Sequence, residues 1–397
     1  MSSRMRAGLV ALLLTVGCNR TPAPVSAGVI AGEGIAVTAT AAGMRTTIAD
    51  AGAGDTRSRP DDIVVLEAWS RDDRLALRAQ AHLLAGRADG HSQLAAAWLL
   101  QMAADYGEGE DHARRQDDAA IAALLVRAGE LAPDDPLIAW LERTGCPASQ
   151  PVCRPAQALA RLQRLEPDNA ATWLAALEDA VAGGDQATID RTLDRVGRAG
   201  YFDSYWGETG HFLDATLASI PLPPRSAAVL DAQRRQGYGT APTEADLRAV
   251  QAFAMASVLA MPGLAPLLRS CRSDDVAVAA ARRSSCLAVA TLLAHSDTLL
   301  GRRVGLGLAV RLTADLPAGP AWREQLRRFL WLQQQLLNMG WQPPPGYAQS
   351  VWRVGEVAAL QAWITSRGRP LTPPPGWLPR SRGDRALITT GRPPPRG

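Results

Sequence analysis

An all-α body of stacked antiparallel helical hairpins is the fold class that this chain of 397 residues predicts. Three observations point there. Beyond residue 62, Ala and Leu recur at intervals of three and four, the spacing that lines one face of a helix. No stretch sustains the apolar-polar alternation that a half-buried strand needs. Helical runs of about 10 to 18 residues are parted by short turns, so neighbouring helices must fold back on one another. With 47% hydrophobic and 20% charged residues, the chain can fill a packed core.

The amino terminus reads as an export signal. Arg4 and Arg6 precede ten mainly apolar residues, Ala7 to Val16, a run too short to cross a bilayer as a stable helix. It closes on Thr15-Val16-Gly17-Cys18, which resembles the lipobox of bacterial lipoproteins, where a small residue before Cys permits cleavage and the thiol carries diacylglycerol. That resemblance implies a signal peptide over 1–17, lipid attachment at Cys18 and anchoring to the membrane through the lipid. Asn19 in place of Asp after the cysteine implies the outer membrane, facing the periplasm. Thr15 stands where the family usually has Leu, and Val25-Ser26-Ala27 offers an ordinary signal-peptidase site, so a soluble periplasmic or secreted protein is the alternative. Residues 18–61 are mainly Ala, Gly, Thr, Ser and Pro and cannot bury enough surface to order themselves, which predicts a disordered, flexible tether.

Residues 62–220 form the predicted hairpin repeat block. Ile121, Leu124, Leu125, Ala128 and Leu131 make one apolar stripe. Helix starts are signalled at Asp135-Pro136, Arg154-Pro155, Asn169, Asp185 and Thr243-x-x-Asp246, each offering a capping oxygen or a Pro in the first turn. Leu131-Ala132-Pro133-Asp134 is echoed 34 residues later by Leu165-Glu166-Pro167-Asp168, and Trp140, Trp173 and Trp206 follow one another at intervals of 33. Over residues 118–218 this spacing resembles tetratricopeptide repeats, in which a Pro ends one hairpin and a Trp six residues on opens the next, as Pro167 and Trp173 do. Asn169 to Ala199, turning at Gly183-Gly184-Asp185, is the best single copy. The resemblance implies a tetratricopeptide-like α-solenoid with the three indoles equivalent and buried between hairpins. Any array of stacked helix pairs needs similar spacing, so a hairpin array outside that family meets the same observations.

Ile220-Pro221-Leu222-Pro223-Pro224 marks a boundary, because three prolines in four residues cannot lie inside a helix. A second helical block is predicted over 225–368. Residues 252–268 are apolar but interrupted by Pro262, Gly263 and Pro266, which makes them core rather than a membrane span. Trp352 and Trp363, 11 residues apart, fall on one face of a continuous helix and could offer wet indoles to a peptide or glycan. Residues 369–397, rich in Pro and Arg, read as an extended, disordered tail.

Five cysteines are present, and with Cys18 at the leader boundary four remain for an oxidising compartment: Cys146 with Cys153 and Cys271 with Cys286 is the simplest of three pairings. A bond between Cys271 and Cys286 requires chain breaks near Ser273-Asp274 and near Arg282 to Ser285, since 15 residues of helix would hold them about 22 Å apart. No catalytic motif, metal-ligand spacing or phosphate-binding loop occurs, so no catalytic residue, metal or cofactor is assigned. Glu108, Glu110, Asp111 and His112 form one dense polar cluster, read as a solvated loop. Net charge is +3 and every basic residue is Arg, which gives no basic face for nucleic acid. The expectation is a membrane-tethered scaffold or adaptor for an unknown protein partner. The alternative is a periplasmic enzyme or glycan-binding protein using the Trp-rich second block.

Overall fold

The computed structural model describes residues 60–104, 111–146, 150–235, 243–259, 263–272, 280–339 and 343–394. Cys18, the leader, the tether and Glu108 to Glu110 lie outside them, and Asp111 and His112 are described by their backbone alone. Among the described residues the chain is all-α, with seventeen helices and no strand. They run α1 (Pro60–Ala85), α2 (Gly90–Ala103), α3 (Asp111–Leu131), α4 (Pro136–Gly145), α5 (Pro155–Leu165), α6 (Ala170–Gly183), α7 (Gln186–Gly197) and α8 (Trp206–Ser219). Then follow α9 (Ala227–Arg235), α10 (Glu244–Leu259), α11 (Leu264–Ser270), α12 (Ala280–Ala294), α13 (Leu299–Leu312), α14 (Gly319–Met339), α15 (Tyr347–Val354), α16 (Glu356–Ser366) and α17 (Arg382–Thr390).

The helices start where side-chain oxygens can take up free backbone N–H groups. The Asp135 carboxylate accepts from Ile138 N at 3.0 Å, the Asn169 amide oxygen from Ala171 N at 3.0 Å, and the Asp185 carboxylate from Ala187 N at 3.1 Å. Thr243 and Asp246 cap reciprocally, at 3.0 and 3.1 Å. Each such cap is worth about 1 kcal/mol. Gly184 ends α6 at φ 72°, the left-handed conformation that a side chain resists, and so sets the tight turn into α7.

From α1 to α7 each helix packs on the next, and α7 then packs on α12 rather than on α8. Helices α8, α10 and α15 pack together, with α8 also against α2 and α10 against α4. One core therefore includes Trp98, Trp140, Trp206, Met255, Val351 and Trp363, residues from both sides of the extended segment at Pro221 to Pro224. A second core joins Leu174 and Leu193 of the α6–α7 hairpin to Leu267, Val289 and Leu308. At the α12–α13 crossing Gly305 lets the two backbones touch: a Cβ there would lie 2.2 Å from Ala294 N.

Both cysteine pairs stand at disulfide distance, with Cα atoms 5.7 Å apart in each. Helix α11 stops at Ser270, and the first of the two breaks expected between Cys271 and Cys286, near Ser273-Asp274, lies outside the described residues. The second does not occur, because α12 runs unbroken from Ala280 and Cys286 sits inside it.

Two further expectations are corrected. Trp352 and Trp363 do not share a helix face: Gly355, at φ 84°, separates α15 from α16. The carboxyl-terminal stretch is not an extended tail, since Arg382–Thr390 is helical and docked on α13 and α14. Ile388 enters a core with Leu306, Val310 and Phe329. Asp384 is salt-bridged to Arg303, and both carboxylate oxygens of Asp315 accept from Arg392, at 2.7 and 2.8 Å. Trp377 packs edge-on against Trp331, whose indole N–H donates to Pro370 O at 2.8 Å. Polar and aromatic contacts thus hold a segment too poor in aliphatic residues to signal its own burial.

Candidate functional site

An open groove of about 560 Å³ lies between α5, α6 and α7. It is lined by Leu159, Trp173, Ala176 and Ala180 and by the polar Gln163, Asp179, Asp185 and Arg191. Trp173, Ala176 and Ala180 recur at three and four residues along α6, while Ala171, Leu174 and Leu177 around the rest of the helix are buried.

Trp173 is the anchor of this groove. Its indole N–H donates to Pro167 O at 2.9 Å, and the same carbonyl accepts from Arg195 Nη2 at 3.1 Å. The Arg195 guanidinium lies 4.9 Å from the Trp173 ring centroid, within cation–π range. The ring is therefore fixed at its polar edge and on its face toward Arg195, yet it is only half-buried. The three evenly spaced tryptophans differ in degree: Trp140 is 0% and Trp206 4% exposed, whereas Trp173 is partly buried against the second core and lines the groove. They occupy the fifth, fourth and first positions of α4, α6 and α8. Since each residue turns a helix by about 100°, small shifts of start point each indole at a different face.

The base of the α6–α7 hairpin is closed on itself. Asn169, fully buried, accepts Asp203 N at 3.0 Å and donates to Asp203 O at 2.9 Å. Ala170 N donates to Tyr201 O at 2.8 Å, and Gly200 N to Asp168 O at 2.9 Å. Tyr205 then takes the left-handed conformation at φ 55°, unusual for a residue with a side chain.

Around this closure lies a chain of carboxyl groups held above their usual range. Burial, then Asp203 nearby, raises Glu166, and burial followed by Asp203, Asp135 and Glu166 raises Glu208. Burial and then Asp297 raise Asp203, against the Tyr205 N–H that donates to it at 2.7 Å. Glu356 is pushed up to about 7, chiefly by burial and also by Asp297, although its carboxylate accepts from Leu299 N at 2.6 Å. That contact caps α13 with the first residue of α16, and Val357 N returns a bond to Asp297 O at 2.9 Å. Among the described residues, no three His, Cys, Asp or Glu side chains are grouped so as to hold a metal ion.

Trp352 and Trp363 are packed instead of displayed. Trp352 sits between the rings of Trp206 at 5.1 Å and Phe253 at 5.7 Å, and Trp363 packs on Tyr347 at 5.1 Å. A Cβ on Gly210 would strike the Trp352 ring at 2.2 Å, so α8 and Trp352 meet only because that residue is glycine. Sequence reasoning placed Trp173 mostly buried between hairpins, where it does pack against the second core, but overlooked the groove beside it. The available signal was the run of small residues, Ala176, Ala180 and Gly183, on the same face as Trp173. No protein-family model, no curated protein and no solved structure matches the chain.

Proposed function

We propose that the chain is a lipid-tethered helical-repeat scaffold of the bacterial cell envelope, which holds an extended segment of a protein partner in the α5–α7 groove. The observation that carries this reading is the partly buried Trp173, oriented by Pro167 O and Arg195 beside Ala176 and Ala180 in the groove. A rigid, partly open indole is the kind of side chain that supplies most of the binding energy at an interface. Small neighbours let a partner backbone come close, and the polar lining offers the acceptors of Asp179 and Asp185 and the donors of Gln163 and Arg191 to its peptide groups. A groove of this volume takes a few side chains rather than a folded domain. The two cysteine pairs at disulfide distance suit an oxidising compartment, and the lipobox-like run ending at Cys18 supplies the tether. No helix among the described residues is long and apolar enough to cross a membrane.

A photoreactive amino acid at Ala180 tests the groove in intact cells. The expected result is a defined protein adduct that disappears when Thr192→Trp fills the groove. Adducts that persist in the filled variant count against this site. Cys18→Ala tests the tether: palmitate labelling should vanish and the protein should move to the soluble periplasmic fraction.

A further inference from the structure

Residues 367–381 cross α14 as an irregular strap. Gly368 and Gly376, at φ 65° and 73°, set its turns. Its inner side is fixed: Pro373 and Pro379 are buried, the Trp331 indole N–H donates to Pro370 O while its ring packs on Trp377, and Arg327 Nη1 donates to Pro374 O at 3.3 Å. Leu371 and Leu378, 38% and 40% exposed, each follow a residue that touches the Trp331 indole. Arg367 and Arg369 precede them along the chain, Arg380 and Arg382 follow, and all four are exposed. The charge here has one sign, for the chain has no Asp or Glu from Val357 to Gly383. The acids of the elements around α14 are engaged with other groups. Glu324 pairs with Arg327 and Arg328 at 2.7 and 2.9 Å, Asp384 with Arg303 and Asp315 with Arg392, and Glu356 accepts from Leu299 N. Among the described residues, no carboxylate pairs with Arg367, Arg369, Arg380 or Arg382.

We infer that this strap docks on an anionic lipid bilayer, its arginines meeting lipid phosphates and Leu371 and Leu378 entering the boundary between headgroups and acyl chains. Guanidinium groups match phosphate oxygens in pairs of parallel hydrogen bonds, and an anionic surface attracts each of them while it lies within a Debye length. The amino end of α17, capped by Ser381, adds its partial positive charge beside Arg380 and Arg382 instead of offsetting them. The leucines select lipid over a soluble polyanion. A polyanion in water is met by arginines alone and leaves aliphatic side chains wet, whereas a bilayer rewards charge and apolar insertion together. Burial of Pro373 and Pro379 and the two contacts with Trp331 hold the strap in place, so little conformational freedom is lost when it docks. The contact is shallow and reversible, because two leucines bury little area. This surface requires neither the lipid at Cys18 nor the α5–α7 groove.

Cosedimentation of the full chain with vesicles tests the strap, in a Cys18→Ala background so that no attached lipid contributes. Vesicles of phosphatidylcholine mixed with phosphatidylglycerol should bind the chain more tightly than vesicles of phosphatidylcholine alone, and added salt should reduce the difference. The double variant Arg380→Gln, Arg382→Gln should bind the mixed vesicles about 30-fold more weakly, about fivefold for each arginine, with an unchanged thermal transition. Leu378→Asn, at an exposed position, should weaken vesicle binding several-fold while leaving any binding of soluble polyphosphate as it was. Equal affinity for the two kinds of vesicle would overturn the inference, as would mixed-vesicle binding that the double variant leaves intact. Vesicle binding indifferent to Leu378→Asn and displaced by polyphosphate would overturn it too, and would assign the arginines to a soluble polyanion.

Discussion

Replacing Glu356 by Gln removes a charge that the fold holds at a cost, and the cost depends on pH in a direction the structure defines. Burial, with Asp297 nearby, lifts the Glu356 carboxyl from 4.5 to about 7. Between those values the folded chain holds a proton that the unfolded chain releases, so stability is fully present below about pH 4.5 and is lost as pH rises through 7. A difference of about 2.5 in pKa corresponds to about 3 kcal/mol of stability lost on ionisation. Glutamine keeps an oxygen to accept from Leu299 N but cannot ionise. Glu356→Gln should therefore match wild type near pH 4.5 and exceed it by up to about 3 kcal/mol near pH 8. Urea unfolding at closely spaced pH values measures this directly, with the slope in denaturant serving as a check that both chains unfold from comparable states. A variant whose stability follows the same pH curve as wild type would refute the reasoning, as would a wild type that grows more stable from pH 5 to 8.

Gly305→Ala should destabilise by about 3 kcal/mol or more in the same assay, because its new methyl meets backbone atoms of α12 that cannot turn away; a loss within experimental error would contradict the close crossing. Trp140→Ala should cost about 3 to 5 kcal/mol and Trp173→Ala roughly 2 to 4, the lower value following its partial exposure, and a larger loss at Trp173 than at Trp140 would contradict this order. Arg225, buried between Trp69 and Glu244, also offsets the charge of Asp73, whose carboxyl burial pushes up to about 6. Arg225→Ala should cost about 3 kcal/mol, more at pH 8 than at pH 5, since Asp73 then ionises without its neighbouring cation; a loss independent of pH would remove Asp73 from the explanation.

Local chemistry was legible in the sequence, and long-range complementarity was not. Asp135, Asn169, Asp185 and the Thr243–Asp246 pair announced helix starts because a cap involves residues two or three apart. The cysteine pairs were readable for the same reason. The docking of α17 rests on Arg303 with Asp384, 81 positions apart, and on Asp315 with Arg392, 77 apart, a scale at which sequence alone does not indicate which charges meet. Trp352 and Trp363 misled because their spacing was converted to an angle on an assumed single helix. Gly355 followed by Glu356 was the overlooked stop and start. The even spacing of Trp140, Trp173 and Trp206 located helices but not their rotation, and the groove depends on rotation.

Closure at the base of the α6–α7 hairpin has a mechanical consequence. The chain enters at Asp168 and Asn169 and leaves at Gly200 to Asp203, and hydrogen bonds join those two points directly. A pull applied along the backbone is carried across that junction before it reaches either helix. The thirty residues between are shunted out of the load path, so the α6–α7 hairpin that carries Trp173 stays folded while the chain on both sides is under tension.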